Sequence, residues 1–413
     1  MKEKYEAALE RLKEYGQEHI LNNFEKLSNE EKEKLLNQIL SINFDQIKKL
    51  YEATKEKVSF VEDKITPIEY VDKQALSAEE LEKYNSLGEE AIRQGKYAVV
   101  TMAGGQGTRL GHNGPKGTFK LNIGKEKSIF EILADSLKDN CNKYKVTIPW
   151  YIMTSRENDE QTKDFFKKNN YFGYEPSAIT FFKQGELPMV SEEGKILVGE
   201  DGLIKEASNG HGGIFEAMRK NGIIFDMKQK GVEWAFIGPV DNILVKMVDE
   251  TLLGLALYKG VPAAGKSTVK AGPKEKVGVF CRRNGRPGVV EYTEITPDLA
   301  EATNEKGELI FAESHINCNL FSVKAIENVC EKKLPYHSAH KKAKYINENG
   351  ELVVPEKPNA YKFESFIFDT FDMIDDMAIL RVKREEEFAP VKNAEGNDSP
   401  ETAIKLYKDY YGM

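Results

Sequence analysis

From Tyr97 onward, short apolar runs rich in β-branched and aromatic residues alternate with helical segments. Tyr97–Met102, Val146–Thr154, Ile179–Phe182, Trp234–Ile237, Val277–Cys281 and Gly288–Tyr292 read as strands; Asn158–Lys168 and Glu250–Lys259 read as helices. Strands carry continuous or period-2 apolar runs, whereas a helix repeats near 3.6. Alternation of the two predicts an α/β fold, a mostly parallel sheet covered by helices on both faces. Ligands of such sheets gather at the carboxyl ends of the strands. The richest such end is Ala103–Gly117, which follows the first strand, and Asp241 lies beyond the end of a later one.

Residues 1–92 read as a helical amino-terminal region. Tyr5, Leu9 and Leu12 recur at helical spacing, as do Leu36, Ile39 and Leu40, and Ser28–Glu31 and Ser77–Glu80 have the pattern of capping boxes. Residues 93–384 hold the alternating pattern, and residues 385–413 form a short carboxyl-terminal segment that carries Lys392. A chain of 413 residues is long enough for two or three domains and a large core. Its net charge of −8 argues against nucleic acid as the main partner, since a phosphate backbone calls for a basic surface. Cys141, Cys281, Cys318 and Cys330 are scattered without a CxxC pair, which points to reduced thiols and a cytoplasmic setting. The start Met1–Glu6 is charged, and no apolar stretch reaches the length of a membrane span, so no membrane association is expected.

The Ala103–Gly117 loop combines glycines with Arg109 and Lys116. Glycines let backbone N–H groups approach phosphate oxygens, and the two cations add fixed positive charge, so the loop suits a triphosphate. It is neither of two common phosphate loops. Counted from Gly105, the sixth position of a G-x-G-x-x-G motif falls on Leu110, and Lys116 lies between Pro115 and Gly117 rather than before Ser or Thr. Other segments offer complementary groups. Gln184 has a side-chain amide that both donates and accepts, suited to a uracil edge or simply to solvent. Asn209–Gly213 is a second glycine loop with His211 at its centre. Asp241 suits Mg²⁺, which prefers oxygen ligands, or a helix N-cap. Glu291, on an apolar strand, calls for sugar hydroxyls or an ion pair.

Gly104-Gly105-Gln106-Gly107-Thr108-Arg109, followed by Pro115-Lys116, resembles the signature of sugar nucleotidyltransferases. Together with Pro149–Ser155, Phe181–Gly185, Val240–Asn242, Val289–Tyr292 and Phe388–Asn393, the chain from about Tyr97 to Ala403 resembles the UDP-N-acetylhexosamine pyrophosphorylases of the wider UDP-sugar pyrophosphorylase group. The resemblance implies a Rossmann-like nucleotidyltransferase domain over 93–384. It also implies a reaction in which UTP and an N-acetylhexosamine 1-phosphate give a UDP-sugar and pyrophosphate with Mg²⁺.

By position, Gly105 and Gln184 resemble uracil contacts, with Gly104 beside them, and Gly210 and His211 resemble nucleoside contacts. Arg109 and Lys116 resemble the triphosphate ligands, Asp241 the metal ligand, and Lys392 the lysine that holds phosphates during transfer. Gly278 and Glu291 resemble sugar contacts, and Phe366 and Phe368 an aromatic wall for the acetyl group. The chain departs from the family at two points. His211 replaces an Asn, as in the UDP-glucose branch, and Ser314-His315 replaces the sugar-binding Gly-Asn, with Asn317 and Asn319 close by. These departures leave a glucose- or galactose-specific enzyme as the alternative, and a nucleotide-sugar sensor without turnover as a rival of another class. The sequence is silent on oligomeric state.

Overall fold

The computed structural model describes residues 1–56 and 64–413. The strand Tyr97–Met102 is buried along its whole length, as a parallel strand covered on both faces must be. It runs parallel to Trp234–Pro239 on one side and to Trp150–Thr154 on the other, and Ile179–Lys183 extends the parallel set. Beyond Trp234–Pro239 comes one antiparallel strand, Glu313–Ser322, then Ala263–Val269, Ala378–Arg381 and Val71–Asp72. The sheet is therefore α/β in character, mixed and mostly parallel, as the alternation predicts. Two strand starts shift inward from their sequence positions: Trp150–Thr154 and Val279–Arg283 begin later than the apolar runs that announced them.

Compactness divides the chain differently from the linear division at 92 and 384. One unit is made of Met1–Val61, Gly185–Gly213 and Leu334–Phe366, the other of Glu62–Gln184, Ile214–Lys333 and Ile367–Met413. In the smaller unit the helices Lys2–Tyr15, Asn29–Ser41 and Phe44–Ala53 bury Ala8, Leu12, Leu35, Leu36 and Ile39. They do so against Val190, Ile196, Val198, Ile204 and Phe363, which come from far along the chain. An amphipathic stripe needs a cover, and these β segments supply it.

The last helix of the 1–92 stretch, Ala78–Arg93, belongs to the larger unit and packs on Glu250–Lys259. Backbones there approach so closely that a Cβ on Gly254 would lie 1.7 Å from the Tyr84 carbonyl oxygen. Nor is the stretch wholly helical, since Ile65–Pro67 pairs with Val279–Arg283 and Val71–Asp72 with Ala378–Arg381. The helical expectation over 57–63 lies outside the described residues. Both capping boxes form as read, at Ser28 and at Ser77. Among the described residues no helix is long and apolar enough to cross a membrane.

Candidate active site

In the larger unit, the chain leaves Tyr97–Met102 with the Ala103 N–H donating to Met153 O at 2.8 Å, then folds back on itself. Gly107 N–H donates to Gly114 O at 2.9 Å, and Lys116 N–H to Gly105 O at 3.0 Å. Asn158, fully buried just before the helix Asp159–Lys168, holds the loop from below. Its Nδ2 donates to Ala103 O at 3.0 Å and to Gly105 O at 3.4 Å, while its Oδ1 accepts from Ser155 N at 2.8 Å. The loop is thus preorganised by its own chain. Gly105 is exposed, with no heavy atom within 4 Å of where a Cβ would sit. Gly104 faces Gln184, whose Oε1 lies 2.7 Å from the corresponding point, and Gln184 is buried with its N–H on Thr154 O at 2.7 Å. Arg109 is exposed on the short turn Thr108–Leu110 and pairs with no carboxylate among the described residues.

Lys116 and Asp241, 125 residues apart, meet in a mostly buried ion pair with Nζ 3.0 Å from Oδ2. They meet because Val240 N–H donates to Met102 O at 3.1 Å, which aligns the ends of two parallel strands. The N-cap reading of Asp241 fails: the next helix begins at Glu250 and is capped by Asp249. Asp241 also receives the carboxyl-terminal segment, since its carbonyl accepts from Val391 N at 2.9 Å. Lys392 follows directly. Its ammonium is half-exposed, 3.7 Å from Asp398 Oδ2 and 5.4 Å from the Phe388 ring centroid. Among the described residues no group of three or more His, Cys, Asp or Glu could cage a metal. A lone carboxylate fits Mg²⁺, which keeps several waters and takes most of its remaining ligands from phosphates.

A second cluster in the same unit joins five of the sugar candidates, Gly278, Glu291, His315, Asn317 and Phe368. His315 N–H donates to Gly278 O at 2.8 Å, and a Cβ on Gly278 would lie 2.7 Å from Glu291 Oε1. Glu291 is not on a strand as expected; Arg286–Val290 ends one residue earlier and Glu291 opens a turn, its carbonyl accepting from Glu294 N at 2.9 Å. His315 Nε2 lies 3.1 Å from Asn319 Oδ1, and Asn319 Nδ2 donates to Asn317 Oδ1 at 3.3 Å. Asn317 has φ of 59° inside a bulge, where the register jumps from Gly265↔Asn319 to Ser267↔His315. Asn tolerates that left-handed conformation better than most residues, and bulges of this kind re-aim side chains. The His315 ring meets Phe280, Phe371 and Phe368 edge-on at centroid distances of 4.9, 5.6 and 6.1 Å.

Phe366 lies between two elements. The strand Ala360–Glu364 has ended and the turn Ile367–Met373, which carries Phe368, has not begun. Phe366 belongs to the smaller unit, with ring centroids 5.4 Å from His211 and 4.9 Å from His337. There the second glycine loop is wedged against its own chain. Gly210 has φ of 84°, and a Cβ on it would lie 2.2 Å from Ser365 O. Gly212 N–H donates to Ser365 O and Ser365 N–H to Asn209 O, both at 2.9 Å. Asn158, Asn242 and His337 escaped the sequence reading. The Ser155–Asn158 spacing was a visible capping signal for the first, and Asn242 lies inside a motif already singled out, but nothing in the sequence pairs His337 with Phe366.

A family profile described as UTP--glucose-1-phosphate uridylyltransferase matches residues 40–399. The chain is 38% identical over 428 residues to UDP-N-acetylglucosamine diphosphorylase 2 of Arabidopsis thaliana, covering 97% of this chain and 83% of that one. It is 36% identical over 418 residues to UDP-N-acetylglucosamine pyrophosphorylase of Saccharomyces cerevisiae, covering 95% and 87%. The solved structure of the uridine diphosphate N-acetylglucosamine pyrophosphorylase from Trypanosoma brucei in complex with inhibitor matches with a TM-score of 0.84 at 30% identity, covering 98% and 84%. With its glycine loop, its Lys116–Asp241 pair and a profile match over most of its length, the chain belongs to the UTP--glucose-1-phosphate uridylyltransferase family.

Proposed function

We propose that the protein forms UDP-N-acetylglucosamine and pyrophosphate from UTP and N-acetylglucosamine 1-phosphate. The observation that carries this reading is the Lys116–Asp241 pair beside an open glycine loop with Arg109 exposed on it. Gln184, Gly104 and Gly105 take the uracil edge. Backbone N–H groups, Arg109 and Lys116 neutralise the triphosphate. A sugar-phosphate oxygen attacks the α-phosphorus in line. As that P–O bond forms, the bond to the β-phosphate oxygen breaks and pyrophosphate leaves with its electron pair. No general base is needed, because a phosphate monoester is already anionic near neutral pH, and no covalent enzyme intermediate forms. Asp241 would hold Mg²⁺, which supplies charge neutralisation on the phosphates. Lys392 supports the transferring phosphate.

Gly278, Glu291, His315 and Asn317 take the sugar hydroxyls, and Phe368, edge-on to the His315 ring, takes the acetyl group. The names of the relatives support N-acetylglucosamine over glucose or galactose. A cytoplasmic location belongs to the same reading, supported by four scattered cysteines with no CxxC pair.

Pyrophosphate release with UTP and Mg²⁺ across N-acetylglucosamine, N-acetylgalactosamine, glucose and galactose 1-phosphates tests it. Preference for N-acetylglucosamine 1-phosphate is expected. Preference for glucose 1-phosphate moves the protein to the alternative specificity, and tight UTP binding without turnover on any sugar makes it a sensor.

A further inference from the structure

Beneath the carboxyl-terminal segment of the larger unit lies an ionic cluster that the reaction above leaves unused. Lys266, on the strand Ala263–Val269, has its side chain 1% exposed and its Nζ 2.7 Å from Asp249 Oδ2 and 2.5 Å from Glu387 Oε2. Lys73 approaches Asp249 at 3.4 Å and Lys246 approaches Glu387 at 3.5 Å. Apolar residues of similar volume would hold such a place at least as firmly, so a buried ion cluster is weak evidence for stability and better evidence for register. Register is what the neighbouring bonds require. Asn242, fully buried, donates from Nδ2 to Glu387 O at 2.7 Å, and its Oδ1 accepts from Ala389 N at 2.9 Å. Ile243 N–H donates to Ala389 O at 3.2 Å, and Asp241 O receives Val391 N–H. From Glu387 to Val391 the chain is pinned at its carboxylate, its carbonyls and its amides, and the next residue is Lys392. An apolar segment such as Phe388-Ala389-Pro390-Val391 could otherwise slide past residues 241–243 without losing burial.

We propose that Asn242 and the Lys266–Glu387 ion pair are positioning residues that act through Lys392, setting its ammonium relative to the Asp241 turn. The inference rests on the proposed role of Lys392 in phosphate transfer. Its test is a double-mutant cycle read by pyrophosphate release, UTP affinity and denaturation midpoint. Glu387→Gln keeps the shape and leaves Lys266 paired with Asp249. It is expected to hold UTP affinity within about twofold and to lower kcat by on the order of tenfold, yet to change kcat less than about twofold in a Lys392→Ala background. Asn242→Asp, which loses the donor to Glu387 O and keeps the acceptor for Ala389 N, is expected to behave alike.

Equal fractional losses in both backgrounds, or wild-type kcat in the single variants, overturn the inference alone. Failure of both variants to fold assigns the cluster to stability and also overturns it. If Lys392→Ala itself turns over like the wild type, the proposed role of Lys392 falls first and takes the inference with it.

Discussion

The two glycine loops look alike in sequence and are packed differently. Around Gly210, glycine is demanded by the protein's own backbone: φ is positive and Ser365 O occupies the space of a side chain. At Gly105 the backbone has no such neighbour, and the surrounding loop is tied down by Asn158 from below and by Lys116 N–H from the side. The first arrangement is closed packing and the second a presented surface. Glycine content alone therefore says little about ligands. What separates the loops is where the missing Cβ would point, together with Arg109 and Lys116 within the Gly105 loop.

The sharpest way to break this comparison is to remove a cation from the presented loop. Lys116→Ala should lower kcat/KM by on the order of 10²–10³, because the group acts where charge is displaced in the transition state. Circular dichroism should stay native while turnover collapses. Activity within threefold of the wild type would put the loop in the same class as its counterpart. Next in size is Gly210→Ala, which forces a Cβ into Ser365 O at a left-handed position. Strain and overpacking together should cost roughly 2–4 kcal/mol, read by chemical denaturation. A loss below about 0.5 kcal/mol would show that the packed loop yields easily.

Gly105→Ala is the matched opposite. Unfolding free energy should stay within about 0.5 kcal/mol, while UTP affinity drops about tenfold. Calorimetry of UTP binding alongside denaturation separates the two, and the reverse pattern would exchange the roles assigned to the loops.

The smallest effect concerns the platform under the larger unit's site. Burial alone opposes charge on Asp249, but Lys266 and Lys73 more than offset it and hold its carboxyl well below the ordinary range. Burial likewise opposes charge on Lys266, and Asp249 with Glu387 raise it above the ordinary lysine value. For Asp249 the sign is that of a depressed acid. Its contribution is whole above the ordinary carboxylate value near 4 and declines as pH falls below that. For Lys266 it is that of a raised base, whole below about 10.4 and declining as pH rises through its folded value. Moving from pH 7 to pH 3 should therefore remove about 1 kcal/mol of stability through Asp249, and Asp249→Asn should flatten the acid limb by that amount. An acid limb identical in the variant would mean the carboxylate is not held as the geometry implies.

By itself the sequence determined the parts that rest on local chemistry. Period and apolar runs announced the mixed, mostly parallel sheet, and Ser28 and Ser77 announced their helix starts. Only the tertiary structure decided what depends on distant chain. It joined Lys116 to Asp241 across 125 residues, moved Glu291 off its strand, and drew the amino-terminal helices into a unit with residues 185–213 and 334–366. The physical reason is common to all three. Hydrogen-bond periodicity and capping act over a few residues and leave a local trace in sequence. The burial of an apolar stripe, or the pairing of two charges, is satisfied by whichever segment the fold brings near, and that partner leaves no mark at the position it serves.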